Sequence, residues 1–341
     1  MHFFKIYLNY FFLTFCLCFS INANAINAVT KLSAENLAVV VNIDDPKSME
    51  IGQYYLSARH IPASNLIKVH ITPDTHTLKP EVFELLREQI LHHLHPNIQA
   101  IVLVWTTPYA VGCNSITSAM TLGYDAKQCE KTCNTGKESP YFDSPSRQPF
   151  KDYGIRISML LPVESIKQAK ALIDRGVLSA FRLNEASAYF LHTSDKNRNT
   201  RTLFFPQPGR IESKKLEIKI MNADSIKNKG DVMFYFTGLI KVPNLDSLTF
   251  MPGAIADHLT SSGGDLLGTS QMSSMRWLDA GATASYGTVS EPCNYWQKFP
   301  NPFLVLKYYL TGETAIEAYW KSVAWPAQGL FIGEPLAAPY L

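Results

Sequence analysis

Residues able to do chemistry fall in three places along this 341-residue chain. The first is the apolar run 232–236, which stops abruptly at Thr237-Gly238. Runs of this kind are buried strands of a parallel sheet, and the loop after such a strand is where α/β proteins place reactive groups. Farther along stand His258 and Cys293, which together could form a nucleophile and its base, since cysteine catalysis needs a thiolate held near a proton acceptor or a positive charge. The second place is Asn42, Asp44 and Asp45, directly after the apolar stretch 37–41. Adjacent carboxylates at a strand end could hold a metal or polarise a substrate. The third is Asp195, Arg198 and Arg201 in "TSDKNRNTR". Guanidinium groups three apart share a face if the segment is helical, and would suit a carboxylate or phosphate.

Each of these has a plainer role. His258 falls in "PGAIADHLTSS", read as a helix over 252–262 with Pro at its first turn and Gly263-Gly264 after its end, and so as an ordinary partly buried structural histidine. Asp44-Asp45-Pro46 suits a turn leading to a helix capped at Ser48. Asp195 suits a turn cap paired with Arg198. A serine hydrolase is not indicated, because no G-x-S-x-G elbow occurs. No histidine stands in ligand spacing to the cysteines, so the sequence asks for no zinc, and it names no cofactor.

The N-terminus sets the compartment. "MHFFKIYLNYFFLTFCLCFSINANA" has basic residues, a short apolar core and Ala23-Asn24-Ala25, which is the form of a secretory signal cleaved after Ala25. Bulky Phe15 before Cys16 argues against a lipoprotein site, and the apolar core is short for a membrane span of about 20 residues. The mature chain is therefore expected to be exported, periplasmic or secreted, with no transmembrane segment. Cys16 and Cys18 leave with the signal. Cys113, Cys129, Cys133 and Cys293 remain, and an even count in an oxidising compartment points to disulfides, with one bridge expected among the first three. A formal net charge of +2, with 46% hydrophobic and 18% charged residues, describes a globular protein and gives no case for nucleic acid.

Strand and helix signals alternate over most of the chain. Strands are expected at 37–43, 65–71 and 98–105, with helices at 48–62 and 79–95 between them, the pattern of a doubly wound, mostly parallel sheet with helices on both faces. From 109 to 153 the rhythm breaks into a Ser-, Asn-, Gly- and Pro-rich excursion carrying three of the four mature cysteines. A strand near 157–163 and a helix from Ser165 to Gly176 restore the pattern. Residues 206–229 read as a basic surface segment. These signals divide the chain into a signal at 1–25, an α/β half at 26–205 and a second α/β part at 206–341.

The last part carries a resemblance. "GAIADHLTSSGG", "WLDAGATASYGTVSEP", "LTGETAIEAYW" and "LFIGEPLAAP", in this order, resemble the C-terminal half of the gingipain-type, caspase-like peptidase fold. Over nearly all of 37–340, "VVVNIDDPKSMEIGQYYLSARHIPASNLI", "LIDRGV", "TSDKNRNTR" and "GTVSEP" are similar to a family of secreted bacterial proteins found with PEP-CTERM-type envelope sorting. The peptidase resemblance implies a strand ending in a His-Gly base and a neighbouring one ending in a nucleophilic Cys. Here Thr237-Gly238 stands at the first place and Phe250-Met251-Pro252 at the second, with Thr237 and Met251 expected side by side. Neither can replace the dyad. The sequence therefore points to a binding or scaffold protein acting on an envelope component or polymer, or to a hydrolase whose site has moved to Asp44/Asp45 or Asp195/Arg198.

The cysteine reading has a direct check. Thiol titration of the unreduced, denatured mature protein is expected to find essentially no free thiol. One or two titrating groups would restore Cys293 as a nucleophile.

Overall fold

The computed structural model describes residues 31–72, 75–180 and 184–341, so the expected signal at 1–25 lies outside the described residues. Strand β1 (Leu37–Asn42) has no exposed position, as its unbroken Leu-Ala-Val-Val-Val run requires of a strand covered on both faces. Helix α1 (Pro46–Arg59) starts on Asp45, whose side chain accepts from Lys47 N, and ends at His60 in the left-handed region. Gly52 lets α1 sit directly on the sheet, since a β-carbon there would fall 2.2 Å from Val41 Cγ1. Strand β2 (Leu66–Val69), the short β3 (Thr77–Leu78), helix α2 (Pro80–His92) and strand β4 (Ala100–Val104) complete the first units.

The expected excursion follows. It holds β5 (Ala110–Val111), β6 (Asn114–Ser115), α3 (Ile116–Leu122), α4 (Ala126–Glu130) and α5 (Pro149–Tyr153), and β3, β5 and β6 form a small sheet of their own. Disulfides Cys113–Cys129 and Cys133–Cys293 tie it internally and to the C-terminal part. The first is the bridge expected among the clustered cysteines.

Strand β7 (Ile157–Leu160) and helix α6 (Ile166–Leu178) lead to β8 (Ala186–His192), β9 (Gly209–Ile211) and β10 (Leu216–Asn222). The basic 206–229 segment, expected as plain surface, thus supplies two strands. β10 alternates buried Leu216 and Ile218 with exposed Glu217, the pattern of a strand close to the sheet's edge. Then come β11 (Val232–Thr237), β12 (Phe250–His258), α7 (Met275–Ala280), β13 (Ala284–Thr288), α8 (Pro302–Leu310), α9 (Ala315–Trp320) and β14 (Gly329–Gly333).

These strands make one eleven-stranded sheet in the order β2-β1-β4-β7-β14-β13-β12-β11-β8-β10-β9. It is mixed α/β and mostly parallel, but in two blocks. β2, β1, β4, β7 and β14 run together. β13, β12, β11, β8 and β10 run together in the opposite sense, because β13 and β14 pair antiparallel. Helices cover the sheet on both sides. α1 packs on α6 through Tyr54–Asp174 and Glu50–Lys170 contacts. α3 and α9 both reach Ser158 of β7, through the Ser158 hydroxyl and the Trp320 indole. At the end of β14, buried Glu334 accepts from Tyr55 and Arg59 of α1, and Gly176 of α6 leaves the room that its carboxylate occupies.

Candidate functional site

The stretch expected as a helix over 252–262 is instead strand β12, and this moves the alignment behind the expected site. Pro252 marks no helix start. Gly253, at φ 87°, takes the chain into the strand where a β-carbon would come within 2.8 Å of Ser179 Cβ. From Ala254 to His258 every residue is buried, and small Ala254 and Ala256 fit between two covered faces. Thr237 pairs in register with His258, and Val232 with Phe250. Thr237 and Met251 therefore lie at opposite ends of the pair and not side by side.

What fills the carboxyl ends of β11 and β12 is the "TSDKNRNTR" segment. Thr193 Oγ1 donates to Gly238 O at 2.7 Å. Gly238 packs so closely that a β-carbon would meet Arg198 O at 2.0 Å. Arg201 then turns inward and is 1% exposed. It donates to Thr237 O at 2.9 Å, pairs with Asp257 at 2.5 Å, and lies over the Phe236 ring. Tyr319 OH lies 3.4 Å from the other Asp257 oxygen. Burial raises the Asp257 pKa above the ordinary carboxylate range, and Arg201 pulls against that rise. Thr237 Oγ1 meets no hydrogen-bonding partner among the described residues.

His258 is buried beside this pair and cannot act as a base. The Trp277 indole N–H donates to Nδ1 at 2.9 Å, so the ring proton sits on Nε2, which donates to Met272 O at 3.1 Å. Burial, with the nearby Arg201 charge, pushes its pKa down to about 3. Both nitrogens are committed and the ring stays neutral. Cys293 is in a disulfide with Cys133, so it offers no thiol, and the candidate His258/Cys293 pair does not form.

The other candidates separate as well. Asp195 caps a single 3-10 turn, Lys196–Arg198, and pairs with Arg198 at 2.7 Å. Arg198 Nε reaches Thr260 Oγ1 at 3.2 Å, which itself donates to Gln271. Arg198 and Arg201 share no face, because the turn ends before Arg201 is reached. Asp44 and Asp45 do line an open cleft of about 260 Å³ together with Asn42, Lys47, Thr106 and Glu164. There Asp45 caps α1, Asn42 ties the loop by accepting from Asp44 N and Ile71 N, and Asp44 lies 3.1 Å from His70 Nδ1. Thr106 Oγ1 already accepts from Val163 N. Among the described residues no group of three or more His, Cys, Asp or Glu is placed to hold a metal ion.

Asp257, Trp277 and Tyr319 were not visible as site residues in the sequence. The one signal was an acid between small apolar residues in "AIADH", which on a strand, unlike on a helix, must be buried and must find a cation.

The chain is thus a mixed α/β protein with a large, mostly parallel sheet, two disulfides, and a strand-end crevice filled by a buried ion pair. No family model and no curated protein matches it. A solved structure described as "Structure of Protease" is similar over 90% of this chain and 79% of its own, at 10% identity and a TM-score of 0.47. At that depth the likeness carries no argument about chemistry.

Two measurements check this site. Arg201→Met should cost about 3–5 kcal/mol in urea unfolding, because it strands a carboxylate in the interior. Arg201→Met with Asp257→Leu should recover most of that loss, and equal losses in the single and double variants would refute the pairing. Neutral His258 contributes stability that is full above pH 6.5 and drains as pH falls toward about 3, since the unfolded chain takes up the proton first. His258→Gln should therefore flatten the acid limb of the stability profile in that window.

Proposed function

We propose that this protein is an exported, non-catalytic binding or scaffold protein of the cell envelope, built on a peptidase-like frame. The observation that supports this reading is the filled crevice. At the paired ends of β11 and β12 stand Thr237, at the place where the sequence resemblance implies a base, and a histidine locked between Trp277 and Met272. Arg201 and Asp257 take up the space between the strand ends and the 193–204 segment. Acyl transfer requires a nucleophile within reach of a free base, and this crevice has neither. The two disulfides suit an oxidising compartment. No helix among the described residues is long and apolar enough to cross a membrane.

A second reading, a hydrolase with a relocated site, draws on one observation, the Asp44–His70 contact beside the open cleft. An aspartate that orients a histidine is half of an acid–base device, yet the nearby hydroxyls of Ser48 and Thr106 are engaged by Asn42 N and Val163 N.

Electrophilic cysteine- and serine-hydrolase probes are expected to leave the mature protein unlabelled, and a hydrolase substrate screen, with and without divalent metals, to give no turnover. Label mapped to the 237–260 crevice, or turnover abolished by Asp44→Ala, would overturn the non-catalytic reading.

A further inference from the structure

The open cleft after β1 stands at a place that the sheet itself marks out. β1 pairs with β2 on one side and with β4 on the other, all three running parallel. The chain leaves β1 in one direction to reach β2, then crosses back past β1 to reach β4. Right-handed crossovers put two such connections on opposite faces of the sheet. The carboxyl ends of β1 and β4 are left open between them, and that is where doubly wound sheets receive ligands. The cleft of about 260 Å³ lies there, lined chiefly by the loops after β1, β4 and β7, with Leu267 at its side.

A buried hydroxyl on its wall is half used. Thr106 lines the cleft and is only 7% exposed. Its oxygen accepts from Val163 N at 3.0 Å, but its hydroxyl hydrogen meets no acceptor among the described residues. The Ser48 hydroxyl, by contrast, accepts from Asn42 N and gives its hydrogen to Val104 O. A hydroxyl is a donor as well as an acceptor, so a buried one with an idle hydrogen on a cleft wall suits an acceptor arriving from outside.

The charges specify the other half of the ligand. Asp44, Asp45 and Glu164 line the cleft against one ammonium, that of Lys47, which is turned onto Glu164 O at 3.2 Å. Asp44 contacts His70 and one Asp45 oxygen caps α1, while the Glu164 carboxylate has no partner among the described residues. These carboxylates form no group placed to hold a metal ion. A protonated amine carries three N–H donors and needs no closed shell of ligands, so it suits carboxylates that stand apart. An anion would be repelled here, and an apolar ligand would leave Thr106 and Glu164 unmet.

From this combination we infer that the cleft is the ligand site of the binding protein, and that it takes a small primary ammonium with a hydrogen-bond acceptor beside the nitrogen. An amino sugar and the N-terminal end of a peptide both carry that pairing. The volume holds about eight or nine waters at roughly 30 Å³ each, so it takes one such unit and not a folded partner. Asn42 Oδ1 fixes the loop beforehand by accepting from Asp44 N and Ile71 N, so little order is lost on binding. The inference rests on the binding-protein reading above and names its ligand class.

The test is calorimetric titration of the mature protein with glucosamine and with alaninamide, each beside its N-acetyl counterpart. At least one amine should bind, which identifies the sugar or the peptide source, and its N-acetyl form should not. Glu164→Gln should weaken that binding about tenfold, the size of one hydrogen bond to a charged group. Leu267→Trp, at a residue 42% exposed, should fill the cleft and abolish binding at an unchanged melting temperature. No binding of either amine, equal binding of the acetylated forms, or binding indifferent to both variants would overturn the assignment. None of these results touches the non-catalytic reading, which is decided separately by the probe and turnover experiments.

Discussion

The buried Arg201–Asp257 pair is the constraint on which the C-terminal half of this molecule turns. A carboxylate at a fully covered position of a central strand cannot stay ionised alone, because the loss of hydration exceeds anything packing returns. Its partner must come from outside the strand, and it comes from the polar segment after β8. Bringing a guanidinium to that spot drags the rest of the segment with it. Thr193 bonds to Gly238 O, Arg198 closes over Gly238, and the strand ends are sealed. A single acidic residue in β12 thus decides that the strand-end crevice is filled. The neighbouring His258 follows from the same burial, held neutral by Trp277 and the nearby positive charge.

Much of the N-terminal architecture was legible in the sequence. Unbroken aliphatic runs at β1 and β4 can only be covered on both faces, and the amphipathic spacing of α2 and α6 leaves little choice of element. The disulfide-bearing excursion showed through its composition and its clustered cysteines. The 252–262 stretch carries the local signals of a helix, Pro near the start and paired glycines after the end, while its burial on both faces is a property of the tertiary structure. Small residues such as Ala254 and Ala256 carry no period that separates the two. The reversal of the second strand block was also out of reach, since it depends on β13 pairing antiparallel with β14, a long-range choice that no local pattern encodes.

Among the candidate residues, local rules give some pairings but not the long-range partners. Asp195 and Arg198 do pair, as local rules predict, whereas the helix expected to be capped at Ser48 starts earlier, on Asp45. Spacing groups Arg201 with Arg198, yet three residues separate two environments, one partly buried against Thr260 and one in the core. Spacing reports a shared face only while the backbone stays regular, and here a single 3-10 turn ends at Arg198.

The crevice at the β11/β12 ends is thus closed, while the cleft after β1 stays open. The excursion at 109–153 lies outside this sheet and must be held by other means. Such segments bury little of their own and pay conformational entropy on binding unless they are held beforehand. The bridges Cys113–Cys129 and Cys133–Cys293 do that holding, the first within the 109–153 stretch and the second between it and the Tyr295–Trp296 turn. Carbonyl contacts continue the work, with Ser139 N donating to Ala324 O and Asp143 N to Lys321 O, so the excursion is fastened to α9 and the loop carrying Trp325. The two cross-links thereby give an irregular segment a rigidity that local backbone bonding alone would not supply.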